Sequence, residues 1–156
     1  MIIRIKGGTV VTSENETIAD VWIVNDKVAA IGRTSLKDDK VIEAQGKYVL
    51  PGGIDPHVHM QLPTPAGPSS DDFYTGSVAA LHGGTTTLLD FVTPQKGQSL
   101  TEALSLRKSE AAKALTDYSF HVSPIDWHIG IEEEIISCMK YGITSFKIYM
   151  AYKGVV

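Results

Sequence analysis

At 156 residues, with 43% hydrophobic and 21% charged residues, the chain is long enough to bury a core and has an ordinary globular composition. The net charge of -4 disfavours nucleic acid or an anionic membrane as the main partner. Neither a signal peptide nor an apolar run of about 20 residues is visible, and the single cysteine, Cys138, excludes an internal disulfide. We therefore expect a cytoplasmic protein.

Residues 1–50 predict an all-β segment. Short β-branched runs (IIRIK, TVVT, ADVWIV and KVAAIG) are separated by turn-forming residues. Asn25 and Asp26 lie between two of these runs and predict a tight hairpin. Nothing in this segment has catalytic character, and we expect a half-buried sheet that needs a second layer to pack on.

Residues 51–156 predict alternating strands and helices. We expect a first strand that ends with His57 and His59, followed by strands over residues 85–92, 117–122 and 143–150. Three helices are expected between them: one capped within residues 70–72 and ending near His82, one from Ser99 to about Leu115, and one with residues 132–134 in its first turn and Lys140 in its last. Repeated units of this kind imply parallel strands with right-handed crossovers.

The stretch PGGIDPHVHM carries two histidines one residue apart. Side chains two apart on a strand share a face, so the imidazoles of His57 and His59 can reach one point in space. Neutral imidazole is a common zinc ligand at about 2.0–2.1 Å. The alternative is two partly exposed histidines without a function. The proline and glycine setting favours a site, because strand ends that feed loops are where barrels keep their chemistry.

The alternation in SFKIYM places Lys147 and Tyr149 on one face and the apolar side chains on the other. The apolar face should meet the helix layer, which sends Lys147 into the interior, where an unpaired ammonium is costly. Three outcomes are open: an ion pair with a carboxylate such as Asp90, Schiff-base catalysis, or reaction with carbon dioxide to give a carbamate that can bridge two metals. The position of His57 and His59 near the same end of the sheet favours the carbamate.

Together with DDFYTGSVAALHGGTTTLLDFVTP, DYSFHV and GITSFKIYMAYKG, these stretches resemble the dihydropyrimidinase/hydantoinase family of cyclic amidohydrolases. The resemblance implies an α/β fold in which residues 51–156 form the first four strand–helix units of a TIM (β/α)₈ barrel. Residues 1–50 would form part of a small β-sandwich domain. A complete barrel needs about 250 residues, so we expect this chain to be the N-terminal part of the enzyme and inactive by itself.

The resemblance also assigns roles to individual residues. His57 and His59 match ligands of the more buried of two divalent metal ions, usually zinc, and Lys147 matches the carboxylated lysine that bridges both metals. Tyr152 matches the tyrosine that steadies the substrate oxyanion, while Leu62 and Tyr149 fall in segments that shape the substrate pocket. The other histidines match no ligand and are predicted to be structural (His82, His121 and His128).

The activity implied by the resemblance is hydrolytic ring opening of dihydropyrimidines and 5-substituted hydantoins to N-carbamoyl amino acids by a metal-bridging hydroxide. The partner would be a small cyclic amide, and the full-length enzyme would be a dimer or tetramer. Alternatives are an allantoinase, a dihydroorotase-like enzyme, a non-catalytic assembly homologue or an inactive fragment. The dihydroorotase interpretation is weakened because no arginine directly follows His59 to bind a substrate carboxylate.

Overall fold

The computed structural model describes residues 1–64 and 66–151. They form two compact units, one comprising Met1–Pro51 and one that begins at Gly52. Strands and helices together make this a mixed α/β structure. Within the described residues, no helix combines the length and the apolar character needed to cross a membrane.

The first unit is a five-stranded sheet, in agreement with the predicted all-β segment. Its strands are β1 (Ile2–Val11), β2 (Glu16–Val24), β3 (Lys27–Ile31), β4 (Lys40–Glu43) and β5 (Tyr48–Val49). The strand order is β3-β2-β1-β4, with β5 also paired to β1. Strand β2 is antiparallel to β1 and β3, whereas β4 and β5 run parallel to β1.

Left-handed backbone positions explain the turns of this sheet. Asn25 and Asp26 have φ values of 49° and 63° and form the tight turn between β2 and β3, which confirms the predicted hairpin. The runs IIRIK and TVVT, expected to be separate strands, are one continuous strand. Gly7, at a φ of 68°, accommodates a bulge between Ile5 and Gly8 instead of ending the strand.

The second unit alternates strands and helices, as predicted. Its parallel sheet has the order β10-β9-β6 and contains β6 (Gly53–Asp55), β9 (Thr85–Val92) and β10 (Asp117–Val122). A short hairpin, β7 (Pro63–Thr64) and β8 (Gly67–Pro68), lies in the loop after β6. The helices are α1 (Phe73–His82), α2 (Leu100–Ala111) and α3 (Ile131–Lys140).

The helix starts follow the capping residues. Asp72 caps α1, and Ser99 caps α2 in a capping box with Glu102, as predicted. Helix α2 ends at Ala111 and does not continue to Leu115. The backbone N–H of Leu115 donates instead to Ser77 Oγ at 2.9 Å, so the chain has already left the helix there.

Apolar side chains from the sheet and the helices form one core in this unit. Alternate residues of β9 and β10 enter this core and meet apolar side chains of the helices. Nearly all of these side chains are fully buried: Leu88, Val92, Phe120 and Val122 from the strands, and Phe73, Leu100 and Leu104 from the helices. Full burial of one such side chain stabilises a fold by about 1.5–3 kcal/mol. This core holds the strand ends, and the loops that follow them, in place.

The expected fourth strand, residues 143–150, does not form as a strand. The segment makes one isolated parallel bridge, between Val122 and Phe146, where Lys147 N–H donates to Val122 O at 2.9 Å. Strand β10 ends at Val122, so the residues after Phe146 have no ladder partner in β10. Phe146 does pack against the core, but Ile148 and Met150 are 74% and 100% exposed, and their predicted contact with the helix layer is wrong.

Candidate active site

The prediction that His57 and His59 end the first strand of the second unit is wrong, because the two histidines follow that strand. Strand β6 stops at Asp55 because Pro56 has no N–H to donate to a neighbouring strand. The alternation nevertheless continues: Val58 N–H donates to Leu89 O at 3.1 Å, and the Val58 side chain packs against the core. His57 and His59 point the other way, with ring centroids 5.1 Å apart.

Phe91, next to last in β9 and 8% exposed, lies at the centre of the site. Its ring centroid is 4.6 Å from that of His57 and 4.8 Å from that of His59. Lys147 Nζ lies 5.3 Å from the same centroid. The two imidazoles and the amine of Lys147, about 90 positions later in the sequence, therefore meet around one buried aromatic ring.

Asp90 does not pair with Lys147, so that alternative is wrong. Adjacent residues of a strand face opposite sides, and Asp90 lies on the side of β9 that meets the helices. Its partner is Arg107 of α2, at 2.9 Å. Among the described residues, no carboxylate lies within ion-pairing distance of Lys147.

Partial burial lowers the pKa of His59, because a charged imidazolium is less well solvated there. The nearby charge of Asp90 acts in the opposite direction, whereas His57 and Lys147 add to the lowering. A neutral imidazole keeps a free lone pair on one ring nitrogen, which is the form that binds a metal. The surroundings of His59 thus favour its ligand form at neutral pH.

Of the residues predicted to bind substrate, Tyr149 lies beside Lys147 and Leu62 lies in the loop after His59. The ring of Tyr149 lies 5.2 Å from Lys147 Nζ, in agreement with their predicted shared face, and its hydroxyl is 3.3 Å from Thr93 Oγ1. Leu62 is 40% exposed and lies in the loop after His59, where its N–H donates to Ser69 Oγ at 2.9 Å. Tyr152 lies outside the described residues.

His121, predicted to be structural, lies beside the site, with its ring centroid 5.0 Å from that of Phe91. Its Nε2 is 2.9 Å from Pro56 O, and its Nδ1 is 2.6 Å from Ser145 Oγ. A carbonyl oxygen can only accept, so Nε2 carries the proton, and in the neutral ring Nδ1 accepts from the Ser145 hydroxyl. His121 therefore links the segment before His57 to the segment before Lys147.

The other two histidines lie away from this cluster. His82 is the last residue of α1, and His128 lies 3.8 Å from Glu134 of α3.

The side chains present fit part of a metal site. Zinc in proteins usually takes four ligands, and His57 and His59 offer two nitrogen donors with a shared direction. Within the described residues, no group of three or more His, Cys, Asp or Glu side chains is placed to hold a metal ion. Lys147 would offer oxygen donors only if its amine carried an added carboxyl group, as in a carbamate.

The central position of Phe91 was not among the predicted site features. The signal was present in TTTLLDFV: if Leu88 and Val92 face the core, then Phe91 must face the opposite side with the histidines.

A model of the amidohydrolase family matches residues 48–146, which is more than half of the chain. The chain belongs to the amidohydrolase family, whose members are generally metal-dependent. Within the family, it is 43% identical to the dihydropyrimidinase of Rattus norvegicus over 157 residues, covering 96% of this chain and 30% of the rat protein. It is also 43% identical to the D-hydantoinase of Geobacillus stearothermophilus over 154 residues, covering 97% of this chain and 33% of that enzyme.

Solved structures give the same result. The crystal structure of dihydropyrimidinase from Brevibacillus agri matches with a TM-score of 0.95 and 45% identity, covering 99% of this chain and 34% of that one. A D-hydantoinase crystal structure matches with a TM-score of 0.94 and 40% identity over the same shares. The resemblance to dihydropyrimidinases and hydantoinases is confirmed, and the chain spans about a third of the length of these relatives.

Proposed function

We propose that the complete enzyme opens the rings of cyclic amides and imides, dihydropyrimidines and 5-substituted hydantoins, to N-carbamoyl amino acids. The observation that carries this proposal is the meeting of His57, His59 and Lys147 around Phe91. Their convergence, in a chain about 40% identical to dihydropyrimidinases and hydantoinases, fits the metal-binding roles that the resemblance assigns to them.

In this proposal, residues 51–156 are the first four strand–helix units of a (β/α)₈ barrel, and residues 1–50 are part of a small β-sandwich. The sequential parallel order of β6, β9 and β10 supports the barrel. The bridge between Val122 and Phe146 supports a fourth position in the same series for the Lys147 segment.

His57 and His59 would bind one cation through neutral imidazoles. Lys147 would react as the free amine with carbon dioxide: a nitrogen–carbon bond forms, one proton leaves to solvent, and the resulting carbamate offers oxygen donors. Two divalent ions held in this way, zinc by the resemblance, supply Lewis acidity and a water of lowered pKa. Tyr152 would donate its hydroxyl hydrogen to the oxygen of the substrate carbonyl as negative charge develops there.

The segments around the cluster would shape the substrate pocket. Tyr149 lies beside Lys147 and Leu62 lies in the loop after His59, so both could contact a substituent on the ring. The substrate is a small molecule, and the full-length enzyme is proposed to be a homo-oligomer, a dimer or a tetramer.

The test is a ring-opening assay of the complete, zinc-loaded enzyme on dihydrouracil, hydantoin, allantoin and dihydroorotate. N-carbamoyl products from the first two substrates, lost on chelation and restored by Zn²⁺, are the expected result. Turnover of allantoin or dihydroorotate alone would select one of the alternative enzymes. Full metal occupancy without turnover of any substrate would favour a non-catalytic homologue.

A further inference from the structure

A buried ion pair lies directly behind the histidine pair, on the opposite side of β9. The carboxylate of Asp90 is 1% exposed and the side chain of Arg107 is 12% exposed, with 2.9 Å between Oδ1 and Nη2. The second Arg107 nitrogen, Nη1, donates to Glu110 at 2.7 Å, and the guanidinium lies 4.7 Å from the ring centroid of Phe73. Helices α1 and α2 thus hold Arg107 in one orientation.

Both charged groups bind the backbone of Met60, the residue that follows His59. The Met60 N–H donates to Asp90 Oδ2 at 2.8 Å, and Arg107 Nη2 donates to the Met60 carbonyl. Strand β6 has ended by this point, so these two charge-assisted bonds hold the backbone of a residue that a strand ladder would otherwise hold.

The Met60 side chain is fixed as well. It is 9% exposed and packs so closely against α1 that a Cβ added to Gly76 would clash with its sulfur. The backbone and the side chain of Met60 are therefore both held from the helix layer. The direction in which His59 leaves the main chain depends on that anchored neighbour.

A buried ion pair is weak evidence for stability, because well-packed apolar residues of the same volume often stabilise a fold as well or better. An ion pair whose two members bind the backbone N–H and C=O of a single residue has a more specific geometry than core packing requires. We propose that Asp90 and Arg107 are positioning residues, which set the orientation of the His57–His59 pair for metal binding through Met60. This inference rests on the proposed function, because it takes His57 and His59 to be metal ligands.

The experiment measures Zn²⁺ affinity by chelator competition in the complete apo-enzyme, well below the melting temperature. Arg107→Gln removes the charge. Arg107→Lys keeps the charge but lacks the planar fork that binds Glu110 through Nη1 while Nη2 binds Asp90 and Met60. We expect Arg107→Gln to weaken Zn²⁺ binding by about 10–100-fold, the range seen for residues that orient ligands, and Arg107→Lys to weaken it less. Lys113→Met is the matched control, since it breaks the exposed Lys113–Asp72 pair, at 2.7 Å, between the same two helical regions.

Lys113→Met should lower the melting temperature without changing Zn²⁺ affinity. If Arg107→Gln does not fold, Arg107→Lys decides the question by the same measurement. Unchanged Zn²⁺ affinity in a folded Arg107 variant, beside a wild-type enzyme that binds zinc and opens the ring, would overturn the positioning role alone. A wild-type enzyme that binds no Zn²⁺ would overturn both the inference and the proposed function.

Discussion

The two faces of β9 differ sharply, although they belong to the same eight residues. The helix face (Leu88, Asp90 and Val92) is buried, and its one charge is paired with Arg107. The histidine face carries Phe91, around which His57, His59 and Lys147 gather. Among the described residues, these three side chains have no hydrogen-bonded or ion-paired partner. One face thus satisfies its polar groups within the fold, and the other leaves them available for a ligand.

This difference predicts that changes on the histidine face alter metal binding and turnover, whereas changes to the apolar side chains of the helix face alter stability.

Lys147→Ala should have the largest effect. Without the amine no carbamate can form, and we expect the complete enzyme to lose bound metal and to fall to background turnover. Short carboxylic acids added to the assay should restore part of both, because they can supply the missing oxygens. Elemental analysis and the hydantoin assay measure the two effects. Lys140→Ala, at the exposed end of α3, is the control that should change neither. Full metal occupancy in Lys147→Ala would contradict the proposal that a carbamate on Lys147 binds the metal.

Tyr152→Phe should have the next largest effect on turnover. Loss of one oxyanion donor typically lowers kcat by about 10²–10³-fold. The phenyl ring retains the bulk of the side chain, so metal content and melting temperature should stay at wild-type values. Steady-state kinetics with parallel metal analysis would test this. An unchanged kcat would remove Tyr152 from the mechanism.

Leu88→Ala tests the helix face. Leu88 is 1% exposed in the core, and truncation of such a residue usually costs about 2–5 kcal/mol of unfolding free energy. Denaturant unfolding of the complete enzyme should show this loss, while the folded fraction keeps its full metal content. A selective loss of metal at wild-type stability would mean that the apolar side chains of the helix face also control metal binding.

Asp72 should produce the smallest effect, a pH dependence of stability that originates in the helix layer. The carboxylate of Asp72 accepts hydrogen bonds from Lys113 and from the backbone N–H groups at the start of α1. These bonds lower the pKa of Asp72 from 3.8 to about 2. Because the folded-state pKa is the lower one, Asp72 stabilises the fold above pH 3.8, and this contribution disappears as the pH falls towards 2. Asp72→Asn should therefore be less stable than wild type at pH 7, and the gap should narrow between pH 4 and 2. Melting curves of the apo-enzyme across this range would show it, and a constant gap would contradict it.

Much of the second unit could be predicted because its signals are local. The strand over residues 85–92, the capping box at Ser99 and Glu102, and the third helix all follow from neighbouring residues. Local patterns failed where the outcome depended on a distant partner. The segment around Phe146 has strand-like alternation, but the residues after Phe146 have no neighbour in β10 to pair with, because β10 stops at Val122.

The candidate site shows the same division. The shared direction of His57 and His59 could be predicted from their spacing, and the structure places their rings 5.1 Å apart. The partner of Asp90 could not be predicted, because a strand carboxylate can pair with any cation that the fold brings near. The packing of α2 on β9 decides between Arg107 and Lys147, and that packing is a property of the assembled core.

The imidazole of His121 has one further consequence. It spans the gap between Pro56 and Ser145 with a donor on one side and an acceptor on the other, so rotating the ring by half a turn would break both contacts. The width of one heterocycle thus separates the Pro56 carbonyl from the Ser145 hydroxyl. Over evolutionary time, substitutions in the stretch around either residue should be accepted only together with compensating changes in the other, and the spacing should drift less than either sequence.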